Sequence, residues 1–167
     1  MAEPDKIYLV GFMGAGKTTL ARALATRLGW RAEDIDARIE AAEGRTIAEI
    51  FRDRGEPYFR ALERATVVSL LPLRHVVVAT GGGTFADPET RALVLADGYA
   101  IWLDAPLDVV LDRVPRDGRR PLAADREAFA RLFESRRTVY QFAHWRLPCG
   151  PGRVEERVER VLDHFGW

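Results

Sequence analysis

Apolar residues fall into short continuous runs separated by longer mixed stretches. Ile7 to Val10, His75 to Thr80 and Tyr99 to Leu103 are runs of strand type, with a weaker one at Trp30 to Asp34 and another near His144 to Leu147. Helical segments are expected between them. Thr19 to Leu28 is rich in Ala, Leu and Arg, and Thr46 with Glu49 has capping-box spacing ahead of Ile50 and Phe51. Pro57 fits a helix start, Asp87-Pro88 opens a helix that Gly98 ends, and Asp125 is placed to cap a segment running through Tyr140. Strand and helix in alternation predict an α/β fold: a parallel sheet covered by helices on both faces, with ligands gathered at the carboxyl ends of the strands. No internal repeat or low-complexity tract interrupts the pattern. The most loop-like stretch is Val114 to Ala124, whose Pro and Gly residues mark a candidate lid.

The first strand runs into Gly11-Phe12-Met13-Gly14-Ala15-Gly16-Lys17-Thr18, a full match to the phosphate-loop spacing G-x-x-x-x-G-K-S/T between a strand and a helix. Glycines there let successive N–H groups turn onto phosphate oxygens at a helix N-terminus. Lys17 then reaches the β/γ-phosphates and the Thr18 hydroxyl serves Mg²⁺. Composition sharpens this. The chain has two lysines, Lys6 and Lys17, against 23 arginines, no Asn and a single Gln. Retention of Lys17 in so arginine-rich a chain suggests a demand for a compact ammonium.

Its 167 residues, 47% of them hydrophobic, fit one domain. A formal charge of zero leaves no global basic field for a nucleic acid, so any anion must be met by local arginines. No apolar stretch approaches ~20 residues, and Met1 to Lys6 lacks a signal-peptide core; neither membrane spanning nor secretion is expected. The lone Cys149 fits a reducing cytoplasm.

Five further constellations carry candidate chemistry. Asp34-Ile35-Asp36 puts two carboxylates near the end of the second strand, suited to holding water around Mg²⁺ and to accepting a hydrogen bond from an attacking hydroxyl; two acids at a helix N-terminus favoured by its dipole is the alternative. Arg60 and Glu63 stand one turn apart, so Glu63 aims the guanidinium, or the two form an ordinary exposed ion pair. Gly81-Gly82-Gly83 follows an apolar strand and predicts close approach of a ligand to bare backbone N–H groups, with a plain tight turn as the alternative. Asp104, after Tyr99 to Leu103, is open to two readings, a metal ligand at a strand end or the cap of the following helix. Around the lid crowd Arg113, Arg116, Arg119 and Arg120, with Arg136 and Arg137 on the next helix; Arg120 is the one expected to close over transferring phosphate.

Taken in order, Gly-Phe-Met-Gly-Ala-Gly-Lys-Thr-Thr at 11 to 19, Asp34-x-Asp36, Phe59-Arg60-x-x-Glu63, Gly81-Gly82-Gly83, Arg119-Arg120-Pro121-Leu122 and Arg136 four residues before Tyr140 resemble the shikimate kinases over essentially the whole chain. That resemblance implies a three-layer α/β/α kinase of nucleoside-monophosphate-kinase type with a five-stranded parallel sheet in the order 2-3-1-4-5. It implies transfer of the γ-phosphate of ATP to the 3-hydroxyl of shikimate, with Mg²⁺, in aromatic amino-acid biosynthesis, by a cytoplasmic enzyme expected to be a monomer with a lid at about 114–124. Catalysis would fall to Lys17, Asp36 and Arg120. ATP would be met by Gly14, Ala15, Gly16, Lys17, Thr18, Thr19 and Arg120, with Arg113 and Arg153 near the adenine. Mg²⁺ would be held by Thr18 and, through water, by Asp34. Shikimate would meet Asp36, Arg60, Glu63, Gly81, Gly82, Gly83 and Arg136, with Phe51 and Phe59 beside its ring. The chain departs from the family pattern at Glu33, where an apolar residue is usual, and in the glycine-rich loop Pro148 to Gly152. Another small-molecule kinase, such as one for gluconate, would share loop and lid without needing two carboxylate-gripping arginines. A GTP switch reading guanine through Asn-Lys-x-Asp is impossible without Asn, and a pseudo-kinase would have lost Lys17, Asp36 or Arg120.

Overall fold

The computed structural model describes residues 2–113 and 123–167. In chain order the elements are β1 (Lys6–Val10), α1 (Lys17–Leu28), β2 (Arg31–Asp34), α2 (Ile35–Glu43), α3 (Ile47–Arg54), α4 (Glu56–Leu70), β3 (Val76–Ala79), a 3-10 turn (Thr84–Ala86), α5 (Pro88–Asp97), β4 (Tyr99–Asp104), α6 (Leu107–Arg113), α7 (Ala123–Tyr140), β5 (Trp145–Pro148) and α8 (Val154–Phe165). The strands form one parallel sheet in the order β2-β3-β1-β4-β5. This is the expected order. β1 and β3 are buried along their whole length, which is why they read as apolar runs apart from Lys6 at the start of β1. β2 lies at an edge, exposed or half-buried, and its polar Arg-Ala-Glu-Asp sequence suits that position. Glu33 is held there between Arg31 and Arg38.

Local chemistry sets the boundaries. Thr46 and Glu49 form the expected capping box of α3, and Asp87 caps α5 by accepting from Thr90 N–H. β3 starts one residue later than expected because His75 has a left-handed backbone, φ 54°, which breaks the extended run. Asp125 does not cap α7, as the sequence suggests; the helix already includes Ala123, and Asp125 lies in its first turn, where a carboxylate still favours the helix dipole.

At the amino ends of the strands, away from the phosphate loop, sits a buried polar knot. Lys6 Nζ, fully buried, lies 2.5 Å from Asp97 Oδ2 and donates to the Leu70 carbonyl at 2.6 Å, while Tyr8 and Arg74 also donate to Asp97. Burial works against the Asp97 charge, but bonds from Lys6, Tyr8 and Arg74 hold its carboxyl below the usual range. The carboxyl ends of β1, β2 and β3 converge at the opposite end.

Candidate active site

Between β1 and α1 the backbone is shaped by Gly14 and Gly16, with φ of 77° and 95°, a region that residues with a Cβ resist. The turn leaves the first N–H groups of α1 facing outward as a site for anions. Lys17, the first helical residue, is nearly buried, and its Nζ donates to the carbonyls of Gly11 at 2.6 Å and Phe12 at 2.9 Å. Burial lowers its pKa to about 8, opposed by the charges of Asp36 and Asp34. Thr18 Oγ1 donates to Asp34 Oδ2 at 2.6 Å. Asp34 also caps α2, its other oxygen accepting from Ala37 N–H at 3.0 Å, which is the helix-terminus alternative weighed for it. A cavity of about 450 Å³ opens over Gly14, Gly16, Lys17, Thr18, Asp34 and Asp36.

A second cavity of similar size adjoins it, with Phe51, Phe59, Arg60, Glu63, Gly83 and Arg136 on its walls. Arg60 and Glu63 come from consecutive turns of α4, but the pair is not the solvated one that spacing allows: Glu63 is 1% exposed. Its Oε1 takes a short bond from Arg60 Nη1, and its Oε2 accepts from Thr84 Oγ1 at 2.5 Å. Thr84 in turn accepts from Gly81 N–H at 2.9 Å. One buried carboxylate therefore fixes both a guanidinium and the glycine loop. Phe51 and Phe59 pack at 4.8 Å to form an apolar wall.

The glycines at 81 to 83 also answer a steric demand of the fold. None needs a left-handed conformation, and the Gly81 N–H is already bonded. What Gly81 and Gly83 lack is room for a side chain, whereas a Cβ on Gly82 would meet only ordinary contacts, from 3.4 Å at Met13 N. A Cβ on Gly81 would lie 2.7 Å from Asp36 Oδ1, and one on Gly83 would lie 2.5 Å from Arg60 Nη1 and 2.7 Å from Arg136 Nη1. Gly81 and Gly83 thus admit the protein's own charged groups.

Asp36 lines both cavities. Its Oδ1 is buried without a hydrogen-bond partner among the described residues. Burial first, then the neighbouring Asp34 and Glu63, push its pKa up to about 6 against the pull of Lys17. A carboxylate in that position is mostly ionised at neutral pH and still able to take a proton.

A family model described as shikimate kinase matches residues 13–165. The chain belongs to the shikimate kinase family. A shikimate kinase of Persephonella marina is 46% identical over 157 residues, 93% of this chain and 96% of that one. Among solved structures, the shikimate kinase from Acinetobacter baumannii in complex with shikimate is similar with a TM-score of 0.90 and 34% identity over 96% of this chain and 92% of that one. The Aquifex aeolicus shikimate kinase is similar with a TM-score of 0.83 and 34% identity, covering 96% of each chain. The activity that goes with this family is phosphotransfer in the shikimate pathway.

For a shikimate kinase, the residues outside the two cavities are informative too. Arg113, at the end of α6, donates to the Gly14 carbonyl at 3.0 Å and so flanks the phosphate loop. Arg153 is exposed at the N-cap of α8 and lines neither cavity. Arg116, Arg119 and Arg120, with most of the candidate lid, lie outside the described residues. Asp104 is neither helix cap nor open metal ligand: its carboxylate is taken by Arg137 and Arg146, which tie α7 to β5. Thr84 and the Tyr140 hydroxyl, which donates to the Gly82 carbonyl, were not singled out for a role by sequence. Thr84 directly follows the glycines, a position from which its hydroxyl can close their turn.

Thr18 Oγ1 and Asp34 Oδ2 offer adjacent hard oxygen donors at the edge of the first cavity. Among the described residues no group of three His, Cys, Asp or Glu side chains is gathered as a metal cage. That donor set fits Mg²⁺, which keeps most of its waters and takes one or two protein oxygens alongside phosphate. Among the described residues no helix is long and apolar enough to cross a membrane.

Proposed function

We propose that this chain, as a single cytoplasmic kinase domain and a monomer, transfers the γ-phosphoryl group of ATP to the 3-hydroxyl of shikimate with Mg²⁺. The observation that carries the reading is the position of Asp36 on the wall common to a phosphate-loop cavity and a cavity flanked by two guanidiniums. In-line transfer needs an acceptor hydroxyl that faces the γ-phosphate and a group beside it to receive the proton.

In this reading Gly14, Ala15 and Gly16 present N–H groups to the phosphates, and Lys17 swings its ammonium from the loop carbonyls onto the transferring oxygens. Thr19 and Arg113 flank the nucleotide, and Arg153 reaches it from α8. Thr18 holds Mg²⁺ directly and Asp34 through water. Held by these residues, Mg²⁺ would supply positive charge to offset that on the phosphates. Arg60 and Arg136 grip the shikimate carboxylate, which suits paired planar guanidiniums. Glu63 fixes Arg60, the Gly82 N–H and its neighbouring glycines meet the ring substituents, and Phe51 and Phe59 cover the ring. Asp36 orients the 3-hydroxyl; as its oxygen bonds to phosphorus and the bond to the β-phosphate oxygen breaks, the proton passes to Asp36. Arg120, from the 114–124 lid, closes on the phosphates.

A coupled assay of ADP release, run with shikimate or gluconate as acceptor, tests this. Shikimate-dependent release that needs Mg²⁺ and is lost in Asp36→Asn is expected. Release supported by gluconate and not by shikimate would overturn the reading.

A further inference from the structure

Tyr140 is the last residue of α7 and is 1% exposed, with its ring tilted against Trp102 at 6.0 Å between centroids. Burial raises its pKa far above neutrality, against the pull of Arg136 and Arg60, so its hydroxyl remains a neutral donor. The hydroxyl makes a short bond to the Gly82 carbonyl. Arg136, four residues earlier and therefore on the same helix face, donates from Nη1 to that same oxygen at 3.3 Å. One carbonyl thus has two donors from one helix, and the tyrosine makes the closer bond.

Two consequences follow. Because Tyr140 satisfies the Gly82 oxygen, Arg136 spends only a long contact on it and keeps the rest of its planar fork for another acceptor. Because the peptide group is planar, fixing the Gly82 carbonyl also fixes the Gly82–Gly83 unit, over which the Arg60 and Arg136 guanidiniums converge. Without the phenol, Arg136 is the donor left to that carbonyl among these contacts, and a lone pair of the oxygen turns toward a cavity meant for an anion.

We propose that Tyr140 is a positioning residue for substrate-carboxylate recognition: it holds the Gly82–Gly83 peptide and thereby leaves Arg136 available. The inference rests on the proposed placing of the shikimate carboxylate between Arg60 and Arg136.

Tyr140→Phe keeps the ring and its packing and removes only the donor. It should raise the KM for shikimate about tenfold, with the KM for ATP and the kcat at saturating shikimate changing less than about twofold. In an Arg136→Lys background the same substitution should add little, because the group it serves is already impaired. A residue that only packs would shift thermal stability and leave that KM split absent. If Arg136→Lys raises the shikimate KM and Tyr140→Phe leaves it within twofold, the Tyr140 proposal falls and the site stands. If Arg136→Lys also leaves it unchanged, the carboxylate site itself is misplaced, and the inference falls with it. Multiplicative effects of the two substitutions would likewise overturn it.

Discussion

Replacing Gly83 by alanine isolates the arginine pair without touching either arginine. Gly83 has φ −108° and ψ −1°, which alanine adopts readily, so the backbone has no reason to move. The new methyl would sit 2.5 Å from Arg60 Nη1 and 2.7 Å from Arg136 Nη1, where ordinary contact begins near 3.4 Å. Both guanidiniums must therefore withdraw by about 0.7 to 1 Å, Arg60 Nη2 the furthest, and they can, being the far ends of flexible side chains. Stability should change little, since alanine also restricts the unfolded chain by about 0.4–1 kcal/mol in favour of folding. Function should not escape. A charge-assisted bond contributes about 1.5–3 kcal/mol, and a shift of this size spoils one or more of those proposed to grip the carboxylate. A loss of about 3 kcal/mol corresponds to roughly a hundredfold rise in the KM for shikimate. The assay is ADP release with shikimate varied at saturating ATP, alongside thermal unfolding and the KM for ATP. A shikimate KM within threefold of the parent, in a variant that folds normally, would refute the convergence of the two arginines on Gly83. An equal loss toward ATP would place the damage elsewhere.

Other perturbations probe separate parts of the molecule. Lys17→Arg should lower kcat at least about a hundredfold with the fold intact, because a planar guanidinium cannot replace a buried ammonium between loop and phosphate; near-parent turnover would contradict this. Asp36→Asn should cost at least about a hundredfold in kcat while ATP still binds, whereas Asp34→Asn should instead raise the Mg²⁺ concentration needed for half-maximal rate; metal titrations that do not separate the two would remove the division of labour between these acids. Asp97→Ala should lose about 3–5 kcal/mol in urea denaturation by leaving Lys6 buried and unpaired. A Lys6→Met/Asp97→Leu double variant should recover part of that loss, and a single variant as stable as the parent would refute the buried pair.

Much of this was legible in sequence because the relevant signals are local. The phosphate loop, the capping box at Thr46 and Glu49 and the glycine stop at Gly98 each occupy a few adjacent residues, and the structure realises all three. Strand order was legible only through family resemblance, since pairing β3 between β1 and β2 is a long-range choice that no local pattern records. α8 was not singled out in sequence, although Val154, Val158, Val161, Leu162 and Phe165 recur at helical spacing and its inner face is buried. The Arg60–Glu63 spacing was equally compatible with a surface pair. Its meaning came from Thr84 and Gly81, which approach from another part of the chain to bury the carboxylate.

The scarcity of lysine takes on a different sense once both lysines are seen in place. Retention of Lys17 among 23 arginines pointed to phosphate chemistry, yet the chain retained Lys6 too, and Lys6 lies at the other end of the sheet. What the two share is burial, at 0% and 8% exposure, and an ammonium that donates to backbone carbonyls: Leu70 for Lys6, Gly11 and Phe12 for Lys17. A point charge with three rotatable donors fits such a niche, and a rigid five-donor fork does not. Composition therefore marks where a compact buried cation is required, and chemistry must be argued from its surroundings. Lys6 has Asp97 at 2.5 Å and the Leu70 carbonyl at 2.6 Å, which makes it a structural tie. Lys17 has two carboxylates near enough to sustain its charge, but its bonds are to loop carbonyls at the rim of a cavity. That difference, between an ammonium already neutralised and one whose loop-carbonyl bonds can be exchanged for phosphate, separates the lysine we propose for catalysis from the structural one.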